Sequence, residues 1–179
     1  SIEPGELTDG IIHMAAEKRR ICQHFHIPLQ SGDASVLEKM KRPYKPDFFK
    51  KLVLSIHERM KDAAIGVDVL VGFPGEGEED FMMTRSLIES LNLSKLHVFP
   101  FSPRPGTAAE HPVDPVPERI RDERVHDLLT LSARLHRSYM ERWVGRRLEV
   151  VLEKNENAGD GGWRGLSENY LKVLVQGVP

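Results

Sequence analysis

The sequence contains a single cysteine, Cys22, in 179 residues. A disulfide framework is therefore excluded, and so is a metal or iron–sulfur site held by cysteines of this chain alone. Long apolar runs are also missing. None approaches the roughly 18 residues of a membrane span, and no signal-peptide pattern opens the chain. Neither sign of charge dominates: 25 Lys and Arg stand against 27 Asp and Glu, a net of −2. That balance speaks against a wholly basic nucleic-acid binder and leaves local patches open. An initiator methionine is absent, and Ser1-Ile2-Glu3-Pro4 reads as a strand end entering a turn, as in a piece cut from a longer chain. What is present, 40% hydrophobic and 29% charged residues, is ordinary for a globular protein. The length suffices for one good core and a small second one, and a cytoplasmic location is expected.

Periodicity alternates between two and three to four residues along the first hundred positions. Thr8 is a plausible N-cap for a helix carrying Leu7, Ile11 and Ala15 up to about Arg20. His24–Gln30 then alternates, with Phe25, Ile27 and Leu29 opposite His24, His26, Pro28 and Gln30, a strand signal. Asp33 or Ser35 is placed to cap a short helix that Pro43 ends. Another helix follows Pro46, with Phe49, Leu52, Val53 and Ile56 on its apolar face. Ala64–Gly72 is the clearest strand: Ile65, Val67, Val69 and Val71 form a β-branched row suited to lying under helices. Asp68 falls on the other side, where a carboxylate is costly unless it faces a polar cavity or a partner. Phe81–Leu91 reads as a helix and Lys95–Phe101 as the next strand.

This order is the grammar of a parallel α/β sheet or barrel, whose sites lie at the C-terminal ends of the strands. Gln30-Ser31-Gly32, Gly72–Glu76 and Ser102–Thr107 follow the three strands directly. Three strands and a strand end are too few to close a barrel, so earlier strands are expected upstream of Ser1. After His111 a Pro-rich linker leads to one helix over Glu118–Trp143, with Leu128, Leu131 and Tyr139 on one stripe. Between Glu118 and Arg147 there are eight arginines against five acids, either a face laced with ion pairs or an RNA-facing patch. Leu148–Glu153 and Tyr170–Val175 then alternate as strands around a Gly-rich turn at Gly159–Gly162, the opening of a small β-barrel.

Four stretches carry a family resemblance: Glu3-Pro4, HFHIPLQSGD at 24–33, DVLVGFPGEGEEDF at 68–81 and HVFPFSPRPGT at 97–107. Together they resemble the radical S-adenosylmethionine methylthiotransferases, and with GLSENYLKV at 165–173 the branch acting on threonylcarbamoyladenosine in tRNA. The resemblance implies a fold and a partition of the chain. Residues 1–111 would be the C-terminal half of a radical-SAM, partial TIM-type βα barrel. Residues 112–146 would be a linker and Arg-rich helix, and 147–179 an incomplete TRAM-like β-barrel. It also implies S-adenosylmethionine and, in the full-length enzyme, two 4Fe-4S clusters whose ligands this chain lacks, with tRNA as partner. Cys22 is expected to be a buried small hydrophobe.

Roles follow for individual residues. Val71, Gly72 and Phe73 would offer adenine an apolar slot with backbone bonds, the glycine permitting close approach. Gln30 and Ser31 would meet the ribose hydroxyls, and Asp68 a cationic or hydroxyl group of the cofactor or a histidine across the sheet; Glu3 is a further cofactor candidate. On the substrate side stand His26, Ser167, Asn169 and Arg104, whose planar fork suits the carboxylate of threonylcarbamoyladenosine. Other readings remain open. The substrate is alternatively isopentenyladenosine tRNA or a ribosomal protein. From other classes come a metal-dependent barrel hydrolase using His24, His26 and Asp68, and a non-catalytic RNA-binding module. The open sheet edge also suggests a homodimer.

Overall fold

The protein is described by a computed structural model covering residues 1–17, 21–106, 110, 113–154 and 163–175. Its first half alternates helix and strand: α1 (Asp9–Glu17), β1 (His24–Gln30), α2 (Ala34–Lys39), α3 (Pro46–Arg59), β2 (Ala64–Val71), α4 (Glu78–Ser90) and β3 (Lys95–Pro100). A long helix, α5 (Glu118–Glu141), then leads to β4 (Val150–Lys154), β5 (Trp163–Ser167) and β6 (Lys172–Val175). The first three strands form a parallel sheet in the order β1-β2-β3; the last three form an antiparallel meander. The expected α/β class with a parallel sheet is what the chain adopts.

Local chemistry explains the boundaries. Asp33 caps α2, its carboxylate accepting the N–H groups of Ser35 at 2.8 Å and Val36 at 2.9 Å. Burial alone would raise its pKa; the Ser35 hydroxyl and the surrounding N–H groups hold it below the ordinary value. Pro46 opens α3 at a position where its missing N–H costs nothing. Acids Glu78, Glu79 and Asp80 fill the first turn of α4, and Asp80 accepts the Gly77 N–H at 2.8 Å.

One face of the parallel sheet carries Phe25, Ile27, Leu29, Ile65, Val67, Val69, Val71 and Leu96, all buried beneath α1, α3, α4 and α5. The β-branched row of β2 is the centre of this core. Burying a side chain of this size contributes roughly 1.5–3 kcal/mol. The opposite face is open and polar, with His24, His26, Asp68 and His97 half-buried along it. Each edge of the sheet receives a contact from elsewhere in the chain. On β3, the Ser132 hydroxyl of α5 accepts the Leu96 N–H at 3.0 Å; beside β1, the Ile2 N–H donates to the His26 carbonyl at 3.0 Å.

Three expectations need correction. β5 was not anticipated, because Trp-Arg-Gly-Leu-Ser shows no clean alternation; it is the central strand of the meander. Gly165 within it admits β4, since a Cβ there would lie 2.1 Å from Val150 Cγ1. Cys22 is exposed rather than buried, lying just before β1 outside the core. The strands expected from Leu148 and Tyr170 begin two residues later, at Val150 and Lys172. The Gly159–Gly162 turn lies outside the described residues, as do His111, Pro112, Thr107 and the end of the first helix near Arg20.

Candidate functional site

Register decides which polar side chains meet on the open face. Asp68 on β2 lies opposite Pro28 on one side and His97 on the other, while His26 faces Gly66. The absent side chain of Gly66 leaves room, and His26 Nε2–H donates to Asp68 Oδ1 at 2.7 Å. The rings of His26 and His97 sit 4.7 Å apart. One donor atom from each of His26, Asp68 and His97 lies within 4.8 Å of the others. Burial, and then the neighbouring His26, lower the His97 pKa; burial, with His26 again second, lowers that of His24 to about 4. His24 and His97 therefore stand neutral at pH 7.

The β5–β6 turn closes one end of this face. Tyr170 stacks on His24 with ring centroids 3.9 Å apart and planes within 7°, and Leu171 packs on Ala64 and Tyr139. A cleft of about 370 Å³ results, lined by His24, His26, Lys95, His97, His136 and Tyr170 among others. Asn169 lines the cleft too and Ser167 stands behind it, each only 3% exposed. The Ser167 hydroxyl donates to Asn169 Oδ1 at 2.5 Å and accepts the Leu171 N–H at 2.8 Å, while Asn169 Nδ2–H donates to the Tyr139 hydroxyl at 3.0 Å. These bonds give both residues a structural role beside the one expected at RNA: they fix the hairpin to α5.

At the C-terminal ends of the strands the expected cofactor residues divide. Gln30 ends β1 with φ of 62°, beyond a register shift, and is half-buried. Ser31 is fully buried, its hydroxyl 3.2 Å from that of Thr84 on α4, so it is turned away from any ribose on the open face. Gly32 explains the neighbouring glycine: a Cβ there would lie 2.5 Å from Thr84 Cα. Val71 directs its side chain into the core and its carbonyl accepts the Phe101 N–H at 2.7 Å. Gly72 needs its freedom, with φ of +79°, and its N–H donates to Glu76 Oε2 at 2.7 Å. These two residues thus have backbone groups already committed to the turn. Phe73 is half-buried, edge-on to Phe101 at 5.4 Å. Glu3 pairs with Arg42 at 3.2 Å near the edge of β1. Arg104 is exposed on the loop after β3.

The arginine-rich helix is mostly a laced face. Arg119 pairs with Glu123, Arg121 with Glu118 and Arg134 with Glu89, and just beyond the helix Arg146 pairs with Asp62. Arg124 differs in kind. Only 7% of its side chain is exposed, and its Nη1–H group donates to Glu76 Oε2 at 3.0 Å and to the Glu76 carbonyl at 3.1 Å. Burial raises the Glu76 pKa, against the Gly72 N–H and Arg124, which pull it down. This pair ties α5 to the turn after β2. No sequence signal singled out Arg124, Thr84 or Tyr170; His97 was findable from the alternation of Lys95–Phe101, which puts it on the strand face that Asp68 shares.

Among the described residues no helix is long and apolar enough to cross a membrane. The family description Radical SAM superfamily matches residues 4–88. The chain is 38% identical over 180 residues to the threonylcarbamoyladenosine tRNA methylthiotransferase MtaB of Bacillus subtilis, covering 99% of this chain and 40% of that protein. It is 37% identical to the tRNA-2-methylthio-N(6)-dimethylallyladenosine synthase of Corynebacterium jeikeium, covering 100% of this chain and 35% of that protein. The chain thus spans about two fifths or less of the length of these relatives. In fold it is similar to coproporphyrinogen III oxidase (HemN) of Escherichia coli, described as a Radical SAM enzyme, with a TM-score of 0.61 at 14% identity over 93% of this chain and 45% of that one. The helix-backed parallel sheet agrees with the likeness to two methylthiotransferases, which runs along nearly all of this chain, and the chain belongs to the radical S-adenosylmethionine methylthiotransferase family.

Proposed function

We propose that this chain is part of an enzyme that attaches a methylthio group to C2 of threonylcarbamoyladenosine in tRNA. The observation that carries the reading is the open sheet face, where polar side chains from three parallel strands converge beside glycine-containing turns. Residues 1–111 are then barrel, 112–146 linker and helix, and 147–179 a TRAM-like segment that holds tRNA.

The face suits S-adenosylmethionine in chemistry. Leu70 and the half-exposed ring of Phe99 offer apolar surface for an adenine, and Asp68 offers a carboxylate to hydroxyl or cationic groups. Bound there, the cofactor would supply a methyl group and a radical precursor. In this reading Gln30, Phe73 and the carboxylate oxygen of Asp68 that His26 does not bond hold it, and Ser31, Val71 and Gly72 shape the turns behind them. The chain's residues do not fit an iron–sulfur cluster, since the one cysteine is exposed and alone. The isolated chain is expected to be catalytically silent. Arg104, on the loop after β3, is the candidate contact for the carboxylate of the modified base.

Mass analysis of tRNA nucleosides from cells with and without the gene tests the reading. Loss of the methylthio form of threonylcarbamoyladenosine alone is the expected result. Loss of only the methylthio form of isopentenyladenosine would transfer the assignment to that substrate, and no change in either would overturn the proposal. In the parent protein, Arg104→Lys should weaken the modification; an unchanged level removes Arg104 from the site.

A further inference from the structure

We infer that His26, Asp68 and His97 form a binding site for a divalent transition-metal cation such as Zn2+, apart from any cluster. The three residues come from three adjacent strands and share the open face. One donor atom from each lies within 4.8 Å of the others, and all three side chains are half-buried. Around a tetrahedral ion with ligand bonds of about 2.0–2.1 Å, donors stand roughly 3.3 Å apart. The pair closest together, His26 Nε2 and Asp68 Oδ1 at 2.7 Å, has to open slightly. The wider separations, up to 4.8 Å, have to close by at most about 1.5 Å.

The donor set is chemically selective. Two imidazoles and one carboxylate suit Zn2+ and other late first-row divalent ions, and are too nitrogen-rich to favour Mg2+ or Ca2+. Two neutral imidazoles leave a single negative charge, so a bound divalent ion keeps a net positive charge and coordination positions facing the cleft. Those positions would attract water or an anionic oxygen. His24, the other histidine of the His-x-His pair, is not a ligand: Tyr170 covers its ring face to face. His136 lines the same cleft, but its Nδ1 is engaged at 3.1 Å with the Ser94 carbonyl. Sequence spacing suggested His24 with His26; the sheet register replaces His24 by His97.

The test is Zn2+ and Co2+ titration of the whole chain, with Cys22→Ser as background to remove the only thiol. One equivalent of tightly held Zn2+ is expected, together with a visible Co2+ absorption band typical of low coordination number. His26→Gln and His97→Gln should each weaken Zn2+ binding at least tenfold. His24→Gln and His136→Gln should leave it within about twofold. Far-ultraviolet circular dichroism of each variant, matched to the parent, excludes unfolding as the cause of any loss. Failure of the parent chain to take up an equivalent of either ion would overturn the site. So would uptake that persists unchanged in both His26→Gln and His97→Gln. The outcome is independent of the tRNA reading, because the nucleoside analysis above does not measure metal.

Discussion

Replacing Arg124 by alanine should destabilise the protein more than replacing any other arginine on α5. The guanidinium is 7% exposed and the Glu76 carboxylate opposite it 1%. Arg124 also donates to Glu78 Oε2 at 3.1 Å and lies 5.2 Å over the Phe81 ring. Truncation removes these contacts and leaves the Glu76 carboxyl buried, with the Gly72 N–H as its remaining hydrogen-bond donor. Breaking a buried pair in this way costs about 3–5 kcal/mol, whereas an exposed pair such as Arg119–Glu123 contributes about 0–1 kcal/mol. For a chain of this size that translates to a fall in Tm of roughly 6–20 °C for Arg124→Ala and no more than about 4 °C for Arg119→Ala.

The pH dependence of the variant supplies a second handle. Burial already raises the Glu76 pKa in the intact protein, and losing Arg124 removes an influence that lowers it. A carboxyl whose folded pKa is raised stabilises the fold while protonated, and that contribution disappears as pH rises through the folded value. Arg124→Ala should therefore be closer to the parent at pH 5 than at pH 7. Pairing it with Glu76→Gln should recover part of the loss, since a neutral amide needs no counter-charge; the coupling is measured by a double-mutant cycle in urea. Equal Tm values for Arg124→Ala and Arg119→Ala would refute the claim that this one arginine is the buried tie between α5 and the turn.

Two other outcomes follow from the geometry. Gly32→Ala places a Cβ 2.5 Å from Thr84 Cα, a backbone atom that cannot swing aside, and urea unfolding should show a loss of about 1–3 kcal/mol. A loss below about 0.5 kcal/mol would mean that the loop does not lie against α4 as described. Burial chiefly holds His24 at a pKa of about 4 instead of 6.5, so the unfolded chain takes up a proton that the folded one refuses. Stability should be complete above about pH 6.5 and fall between 6.5 and 4. The full shift is worth about 3 kcal/mol, and partial exposure brings it to about 1–2 kcal/mol. His24→Gln should flatten that part of the stability profile, and an unchanged slope would refute it.

The features that could be read from the sequence are those written within a few residues. β1 was legible to its ends because Phe25, Ile27 and Leu29 alternate with polar neighbours, and the β-branched row of β2 announced the helix-covered face. Asp33 was legible as one of two candidate caps, beside Ser35, for the same reason: its partners are two and three residues away. Register is not local. Alternation put His26, Asp68 and His97 each on a face of its own strand, yet which of His24 and His26 meets Asp68 depends on how strands separated by two helices slide past one another. The same limit applies to charge. Arg119 finds Glu123 one helical turn away, a pairing that counting along a helix detects, but Arg124 finds Glu76 across 48 positions. In composition the two arginines are alike. They are separated by burial, which arises only when α5 crosses β3 and brings one of its faces against the turn after β2, so the arginine of largest consequence on the helix is the one that its local pattern conceals.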